Sequence, residues 1–360
     1  MRNRTATFSP VVRTATAFLL GAISVVGPAS AQGQPPSPKT SAAKAWTTRT
    51  PHGQPDLQGT WDYATITPLE RPKQFGDKAF LTEQEAAEYE RTTNELQNRD
   101  RRDGQGSRSV GTDGRSDVAR AYNEFWWDKG TQVVGTRRTS LIVDPSDGRI
   151  PPLTAAGQKR IAERGDGAGG RRGADRAEDS LDGGPADTWE DRSLWERCLT
   201  RNLPKLPGVY NNNIQIIQGA DHVVILNEMI HEARMIPLDG RPHIGVGQWL
   251  GNSRGRFEGD TLVVDTTGFT DATNFRGSGA GLHLVERYRR LDKDTLNFEV
   301  TIEDPGVWTK SWTVQVPMTR SKGDIYEYAC HEGNYGLPSL LAGARVMERK
   351  AAEAAKKGSK

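Results

Sequence analysis

The second half of the chain is a succession of short strand-like runs separated by turns. In these runs β-branched and aromatic residues alternate with polar ones, and the turns carry Gly and Asp at the spacing of an antiparallel meander. Helical periodicity is nearly absent from this half until the tail. We therefore predict a mainly β protein, either an up-and-down antiparallel barrel or a closely related sandwich. The predicted strands are residues 212–219, 222–229, 232–239, 254–260, 261–269, 283–292, 295–304, 310–318 and 325–332.

Helical signals are concentrated in the part of the chain before these strands. Thr82 and Glu85 have the spacing of a capping box at the start of a run of strong helix formers. Thr154 is a candidate N-cap for a second, short helix, and Asp187 with Glu190 resembles a third cap. We expect these helices and their loops to be insertions in the barrel. Two further strands are predicted at 131–135 and 138–144.

The N-terminus has the features of a secretory signal peptide. Arginines precede a short apolar run, and Ala29-Ser30-Ala31 supplies the small residues of a cleavage site. The apolar run is too short to span a bilayer, so we predict no membrane span. The expected organisation is a signal peptide at 1–31, a flexible linker at 32–50, one β-barrel-like domain at 51–345 with a mobile Gly/Arg/Asp loop at 165–186, and a charged tail at 346–360.

Composition and charge narrow the classes of partner. The chain has 48 basic and 46 acidic residues and a formal net charge of +2, with both signs interspersed, so no basic stripe indicates nucleic acid. Phosphate-loop and dinucleotide-binding glycine motifs do not follow a predicted strand, and we predict no cofactor. The expected partner is a small-molecule substrate or ligand, while the oligomeric state is left open.

The chain has two cysteines, Cys198 and Cys330. In the oxidising periplasmic or extracellular location that the signal peptide indicates, a disulfide between them is favoured over two buried free thiols. A bridge closing so long a loop contributes about 4 to 5 kcal/mol in the chain-entropy model.

Two resemblances bear on the fold. Gly59-Thr60-Trp61 resembles the G-x-W that opens lipocalins and their calycin relatives, in which the Trp closes one end of the barrel. The long insertion that follows it departs from the lipocalin pattern. A wider set of motifs, including YNNN at 210–213, EMIHEAR at 228–234 and YEYACHEGNYG at 326–336, is similar to an uncharacterised family of secreted bacterial proteins. This resemblance covers most of the mature chain and implies one integrated fold without implying an activity.

The segment from Glu228 to Arg234 holds the first candidate site. Strand alternation would place Glu228, Glu232 and Arg234 on one face and His231 on the other, unless a bulge or turn near Ile230 breaks the parity. If the acidic and basic side chains point inward they must pair or serve a ligand, because buried charges are rarely left alone. The alternative is an exposed face with paired charges.

A second candidate lies at Cys330, His331 and Glu332. A disulfide would hold His331 and Glu332 at a rigid position, which suits a general acid or base. The alternative is a histidine satisfied by backbone hydrogen bonds. A metal site assembled from dispersed histidines is also conceivable, but no standard zinc-ligand spacing is present and we predict no metal ligands.

Further polar side chains are candidates for binding a substrate. Arg276 with Asn274 could clamp an oxyanion, although Asn often only caps a turn. Glu286 falls on the more apolar face of its strand, where it would be suited to proton transfer. The full set of predicted substrate-binding residues is Tyr210, Asn212, Arg234, His243, Asn274, Arg276, Glu286 and Tyr335.

These residues favour a secreted enzyme that acts on a small organic molecule by metal-independent acid–base chemistry, as an isomerase, lyase or hydrolase. The expected catalytic residues are Glu228, His231, His331 and Glu332. The alternatives are a β-barrel that binds a small ligand without catalysis and a metal-dependent hydrolase.

Overall fold

The computed structural model describes residues 46–98, 100, 123–163 and 187–358. The predicted signal peptide, most of the predicted linker and the predicted loop at 165–186 lie outside the described residues. In the described part, the strands are β1 Gly59–Asp62, β2 Ile142–Asp144, β3 Asn213–Gln218, β4 His222–Asn227, β5 Glu232–Pro237, β6 Asn252–Glu258, β7 Thr261–Thr267, β8 His283–Arg290, β9 Thr295–Glu303 and β10 Trp312–Arg320. The α-helices are α1 Glu83–Gln97, α2 Ala155–Glu163 and α3 Gly336–Gly358.

Nine of these strands form a nearly closed antiparallel barrel, which confirms the predicted fold class. Their order is β5-β4-β3-β1-β10-β9-β8-β7-β6, and the short β2 pairs with one end of β10. Consecutive strands are neighbours almost throughout, as expected for a meander. The exception is β1, which comes from the N-terminal third and lies between β3 and β10.

The odd number of strands determines how the barrel closes. Because every paired neighbour is antiparallel, the first and last strands of the series, β5 and β6, run in the same direction. These two strands, both fully described, have no backbone pairing with each other and meet through side chains. A Cβ on Gly255 of β6 would lie 2.7 Å from Ile236 Cγ2 of β5, so the glycine permits this close approach. The connection at 238–251 must return along the barrel before β6 can begin.

Apolar side chains from alternate positions of the strands fill the barrel interior. Strand β9, for example, buries every second residue, which is the period-2 pattern of a strand with one face in the core. One continuous cluster joins side chains of the barrel strands and of β2, and Phe257 of β6 packs against it. Its largest fully buried members are Trp61, Trp308, Trp312, Phe298, Leu57, Ile142, Leu203, Ile214, Ile216, Ile225, Ile236 and Leu262.

One end of the barrel, where β1 begins and β8 and β10 end, is closed by Trp61 of the G-x-W motif. Its ring is fully buried and its Nε1 donates to the carbonyl oxygen of Leu57 at 3.0 Å. The guanidinium groups of Arg290 and Arg320 lie 5.0 and 5.7 Å from the ring centroid, and that of Arg290 also lies 3.8 Å from the Trp46 ring. We call this end the base, and the opposite end the mouth.

The predicted helix starts are confirmed in two of three places. Thr82 and Glu85 form the capping box of α1, and Thr154 Oγ1 accepts from the backbone N–H of Gly157 at the start of α2. At 187–191 the prediction was wrong, because Thr188 rather than Asp187 is the N-cap and only a single 3-10 turn follows. None of the described helices is long and apolar enough to cross a membrane.

Two predicted strands are absent from the described structure, and both segments are held by other contacts. At 131–135, the backbone N–H groups of Val133 and Val134 donate to the side chains of Glu90 and Thr67, each at 2.9 Å, instead of to a strand. Residues 325–332 run as an irregular segment after β10. They do not continue the meander because β10, the strand before them, already pairs with β1, β9 and β2.

Candidate functional site

The mouth of the barrel gathers the ends of β1 and β4 and the starts of β3 and β5. A tight 3-10 turn at Met229–His231 separates β4 from β5, and Ile230 and His231 adopt positive φ values of 62° and 41°. The turn near Ile230, which the sequence left open as an alternative to a continuous strand, is therefore present. It leaves Glu228 and Glu232 buried while His231 is exposed.

Glu228 and Glu232 are each held by a polar partner at the mouth. Glu228 Oε2 accepts from the side-chain amide of Asn213 at 2.9 Å. Glu232 accepts from the hydroxyl of Thr200, and its Oε1 lies 2.9 Å from Nζ of Lys205. Buried carboxylates with charged or polar partners, close to a pocket, are typical of functional sites.

Lys205 is the most unusual of these partners. Its Nζ has almost no accessible surface, and its contact with the described residues is the ion pair with Glu232 Oε1 at 2.9 Å, which supplies both charge and hydrogen bonding. Burial lowers the pKa of Lys205, while the Glu232 carboxylate acts in the opposite direction. Because an ammonium has three N–H donors and Glu232 can satisfy at most one or two of them, this pair is incompletely matched.

A small pocket of about 30 Å³ opens beside this ion pair. Its lining includes the polar side chains of Tyr63, Arg201 and Lys205 and the apolar side chains of Met229 and Phe275. Among the described residues, no Asp or Glu belongs to the lining. The residues that line it are Tyr63, Arg201, Pro204, Lys205, Leu206, Gly208, Tyr210, Asn211, Asn212, Met229 and Phe275.

The side-chain amide of Asn212 is used in hydrogen bonds to the backbone that lies around the pocket. Its Oδ1 accepts from the backbone N–H of Gly208 at 2.8 Å, and its Nδ2 donates to the carbonyl oxygens of Gly208 and Asp128. The side chain thus holds the loop before β3 against the segment that carries Asp128. The neighbouring Tyr210 also lines the pocket, and its ring packs edge-on against Trp127 at 6.1 Å between centroids.

The groups around the pocket have shifted pKa values. Burial raises the pKa of Tyr63 above its usual range, with Arg201 opposing the shift, so the phenol stays protonated and can donate. The backbone carbonyl of Asp128 accepts from Asn212, and loss of solvent on the protein-facing side of the Asp128 carboxyl and the nearby charge of Asp62 raise its pKa to about 6. Burial also raises the pKa of Asp62, whose Oδ1 accepts from the backbone N–H of Ala64 at 2.7 Å.

Deeper inside the barrel, Arg234 and Glu286 form a bidentate ion pair. Arg234 Nη1 donates to Glu286 Oε2 at 2.5 Å and Nη2 to Oε1 at 3.0 Å. The hydroxyl of Tyr288 donates to Glu286 Oε1 at 2.9 Å. Burial disfavours the charged guanidinium, yet the Glu286 carboxylate outweighs it and raises the pKa of Arg234. Both side chains point inward, as the sequence indicated for Glu286 and left open for Arg234, and they bind each other across the barrel.

Two other predicted binding residues lie in the segment after β7, which contributes Phe275 to the pocket. The side-chain Oδ1 of Asn274 accepts from the backbone N–H of Gly277 at 3.0 Å, so this side chain caps a turn. Its backbone carbonyl accepts from Asn202 Nδ2 at 3.3 Å. Arg276 has a positive φ of 52° in this turn.

The C-terminal segment is attached beside the mouth by the predicted disulfide, which is confirmed between Cys198 and Cys330. His231 Nδ1 lies 2.9 Å from the carbonyl oxygen of Tyr328, so the turn after β4 also contacts this segment. The predicted candidates His331, Glu332 and Tyr335 are exposed on it rather than enclosed in a cleft.

His243 lies on the outer surface of the barrel, away from the inward-facing residues. Its Nε2 is 2.9 Å from Asp265 Oδ1, and Nε2 of His283 is 3.2 Å from Oδ2 of the same carboxylate. Nδ1 of His283 is 3.3 Å from Glu303 Oε2. These side chains are bonded to one another, and within the described residues no group of three or more His, Cys, Asp or Glu is arranged to hold a metal ion.

A wider groove of about 600 Å³ lies at the base, but its charges are used internally. Arg290 donates to the backbone carbonyls of Asp292, Lys293 and Asp56 at 3.1, 2.9 and 3.3 Å. Its guanidinium is also stacked between Trp46 and Trp61. Arg290 is therefore occupied by contacts within the protein, and the mouth, with its buried carboxylates beside a pocket, is the better candidate site.

Sequence reasoning missed Tyr63, Arg201 and Lys205, which all line the mouth pocket. One signal could have identified Tyr63: it stands two residues after Trp61, so strand alternation places both on the inner face. Lys205 and Arg201 lie in irregular backbone, where no periodicity indicates which way a side chain points.

Comparison of the sequence with protein-family models finds no match, and comparison with curated proteins finds none either.

Proposed function

We propose that this protein is a secreted enzyme that acts on a small organic molecule by metal-independent acid–base chemistry at the mouth of its barrel. The observation that carries the proposal is the small mouth pocket lined by Tyr63 and Lys205, the latter paired with the buried carboxylate of Glu232. Signal-peptide features of the sequence and the disulfide support a periplasmic or extracellular location.

The roles follow from the protonation states. Tyr63 keeps its proton and can donate to a developing negative charge, while Lys205 and Glu232 form a pair between which a proton can be shared. Asp128, with a pKa of about 6, can accept a proton at neutral pH and release it again, which suits a general base. His331 and Glu332 have no part in this proposal because they are exposed on the C-terminal segment.

The competing function is a barrel that binds a ligand without catalysis. Carriers of this kind use a hollow interior, whereas the interior here is filled by apolar side chains and by the Arg234–Glu286 pair. The available space is the small mouth pocket, which favours chemistry at one end of a small substrate over storage of a large one.

Exchange of substrate protons with solvent tests the proposal even when the product is not known in advance. The mature protein is incubated in D₂O with a panel of small ketones, aldehydes, hydroxy acids and lactones, and proton NMR follows deuterium incorporation and any conversion. We expect at least one compound to react, and Lys205→Met to slow that reaction by about 10²- to 10⁴-fold.

The matched control is Glu258→Gln, which changes an exposed carboxylate on the outer side of the barrel and leaves the mouth intact. It should react at the wild-type rate. Unchanged activity in Lys205→Met would place the chemistry elsewhere. Saturable binding of panel compounds with no exchange or conversion would favour the non-catalytic barrel.

A further inference from the structure

Few polar contacts attach the middle of the connection between β5 and β6 to the barrel. Backbone hydrogen bonds anchor its two ends, from the N–H of Leu238 at 2.8 Å and from that of Gln248 at 2.9 Å. Between these ends, the polar contacts with the rest of the described chain are made by Asp239, His243 and Ile244. The middle of the connection is therefore attached largely through one histidine and the residue after it.

His243 faces a hydrogen-bond acceptor with each of its ring nitrogens. Nδ1 lies 3.3 Å from Asn252 Oδ1, which also accepts from the backbone N–H of Ile244 at 3.1 Å. Nε2 lies 2.9 Å from Oδ1 of the Asp265 carboxylate. A neutral imidazole has one N–H and one lone pair, so only the doubly protonated ring can donate to both acceptors.

His283, at the start of β8, has the same arrangement. Its Nδ1 lies 3.3 Å from Glu303 Oε2 and its Nε2 lies 3.2 Å from Oδ2 of Asp265, so both ring nitrogens face carboxylate oxygens. The β8–β9 register places His283 directly opposite Glu303. Asp265 thus lies between two imidazoles and connects them.

The charges of this cluster balance in one protonation state. When both histidines are protonated, two positive charges face two carboxylates, and when both are neutral the carboxylates lose these counter-charges. Arg254 is a further charged group at this face, directly opposite Asp265 in the β6–β7 register, but its guanidinium lies 3.5 Å from Asp239. The histidines and their carboxylates are partly exposed, so they exchange protons with solvent.

We infer that His243, Asp265 and His283 form a pH-dependent clasp that holds the β5–β6 connection on the outer face of the barrel. In acid both rings are doubly protonated, and every ring nitrogen donates. An unperturbed histidine loses its second proton near about pH 6.5, and each ring that does so loses one donor and its charge. The clasp therefore stabilises the attached connection at acid pH and releases it as the pH rises. It lies outside the mouth pocket and is independent of the proposed function.

Nuclear magnetic resonance of the isotope-labelled mature protein tests the clasp between about pH 5.5 and pH 8. Ring nitrogen shifts report whether His243 and His283 carry one proton or two. Protection of the Ile244 amide against solvent exchange, corrected for the intrinsic effect of pH, reports whether the connection is attached. We expect this protection to fall by about 3- to 10-fold as the rings lose their second protons, because exposed ion pairs are individually weak.

Two variants remove the clasp in different ways. His243→Gln replaces the ring by a side chain that does not titrate, and Asp265→Asn removes the shared charge while keeping its shape. Each should remove most of the pH dependence of Ile244 protection. His52→Gln, at an exposed position before β1, should retain the wild-type dependence. Far-ultraviolet circular dichroism and thermal unfolding check that each variant is folded.

Three results would overturn the clasp. The first is an Ile244 amide that is equally protected at both ends of the pH range while the rings titrate. The second is a wild-type pH dependence in folded His243→Gln. The third is a pair of rings that hold the same number of protons across the whole range, because no switch could then operate there.

Discussion

Two buried ion pairs lie within one barrel, and they differ in how completely they are matched. Arg234 and Glu286 share two parallel hydrogen bonds and a third group, Tyr288, adds another. Lys205 and Glu232 share one close contact, of 2.9 Å. Each pair leaves one buried nitrogen without a well-aligned acceptor among the described residues, Arg234 Nε in the first pair and Lys205 Nζ in the second. The deep pair is therefore held by more hydrogen bonds than the pair at the mouth.

The two ion pairs also differ in their position in the barrel. Arg234 and Glu286 connect β5 to β8 through the interior, where a bidentate pair fixes the relative position of strands that are not neighbours in the sheet. Lys205 and Glu232 join an irregular segment to the start of β5 beside the pocket. Functional sites commonly retain groups that are costly for stability.

The largest expected effect is on the deep pair. Glu286→Gln leaves the Arg234 guanidinium buried without its counter-ion, which should lower the free energy of unfolding by about 3 to 5 kcal/mol. Urea unfolding followed by tryptophan fluorescence measures the change. Glu258→Gln, at an exposed carboxylate bonded to Arg256 and Arg287, should leave stability nearly unchanged because solvent screens these contacts. A loss below about 1 kcal/mol in Glu286→Gln would show that the deep pair is not stabilising.

The mouth pair should respond differently to removal of both charges. The double variant Lys205→Met with Glu232→Gln removes an incompletely matched pair while keeping the shape of the acidic partner. We expect its free energy of unfolding to stay within about 1 kcal/mol of the wild-type value, or to rise. A loss as large as that in the matching double variant Arg234→Met with Glu286→Gln, measured by the same urea unfolding, would mean that the two pairs are equivalent.

The smallest expected effect concerns pH and Asp128. Its folded pKa is raised to about 6, whereas an unfolded Asp titrates near about 3.9, so the folded state binds the proton more tightly. This contribution to stability therefore increases as the pH falls from about 6 to 4 and is absent at about pH 7. Asp128→Asn should flatten the dependence, by about 1 kcal/mol or less because the group is partly solvated. An unchanged pH profile of thermal unfolding would contradict the shift.

Much of the barrel could be predicted from the sequence because its strands have a period of two. That period places Arg234 and Glu286 on inner faces, and the register between strands then brings them together. The irregular segments could not be predicted in this way. Lys205 reaches Glu232 from a loop that Asn212 and its contacts hold at the mouth.

For residues 325–332, by contrast, sequence periodicity predicted a strand that the structure does not contain. Its alternation of apolar and polar residues is typical of a strand, yet a strand also needs a free neighbour, and sequence periodicity carries no information about which edges are already paired. The disulfide to Cys198 and the contact of His231 with the Tyr328 carbonyl, not a β-ladder, attach this segment.

Strands β5 and β6 run in the same direction and do not pair with each other, so the two edges of the sheet lie side by side there. Elsewhere in the barrel each strand is protected by backbone hydrogen bonds on both sides, but along this line the two edges are covered only by packing such as that of Gly255 against Ile236. Separation of the two strands would expose two ready templates for strands of other molecules. The same seam that accommodates an odd strand number is thus where self-association of a partly opened molecule would begin.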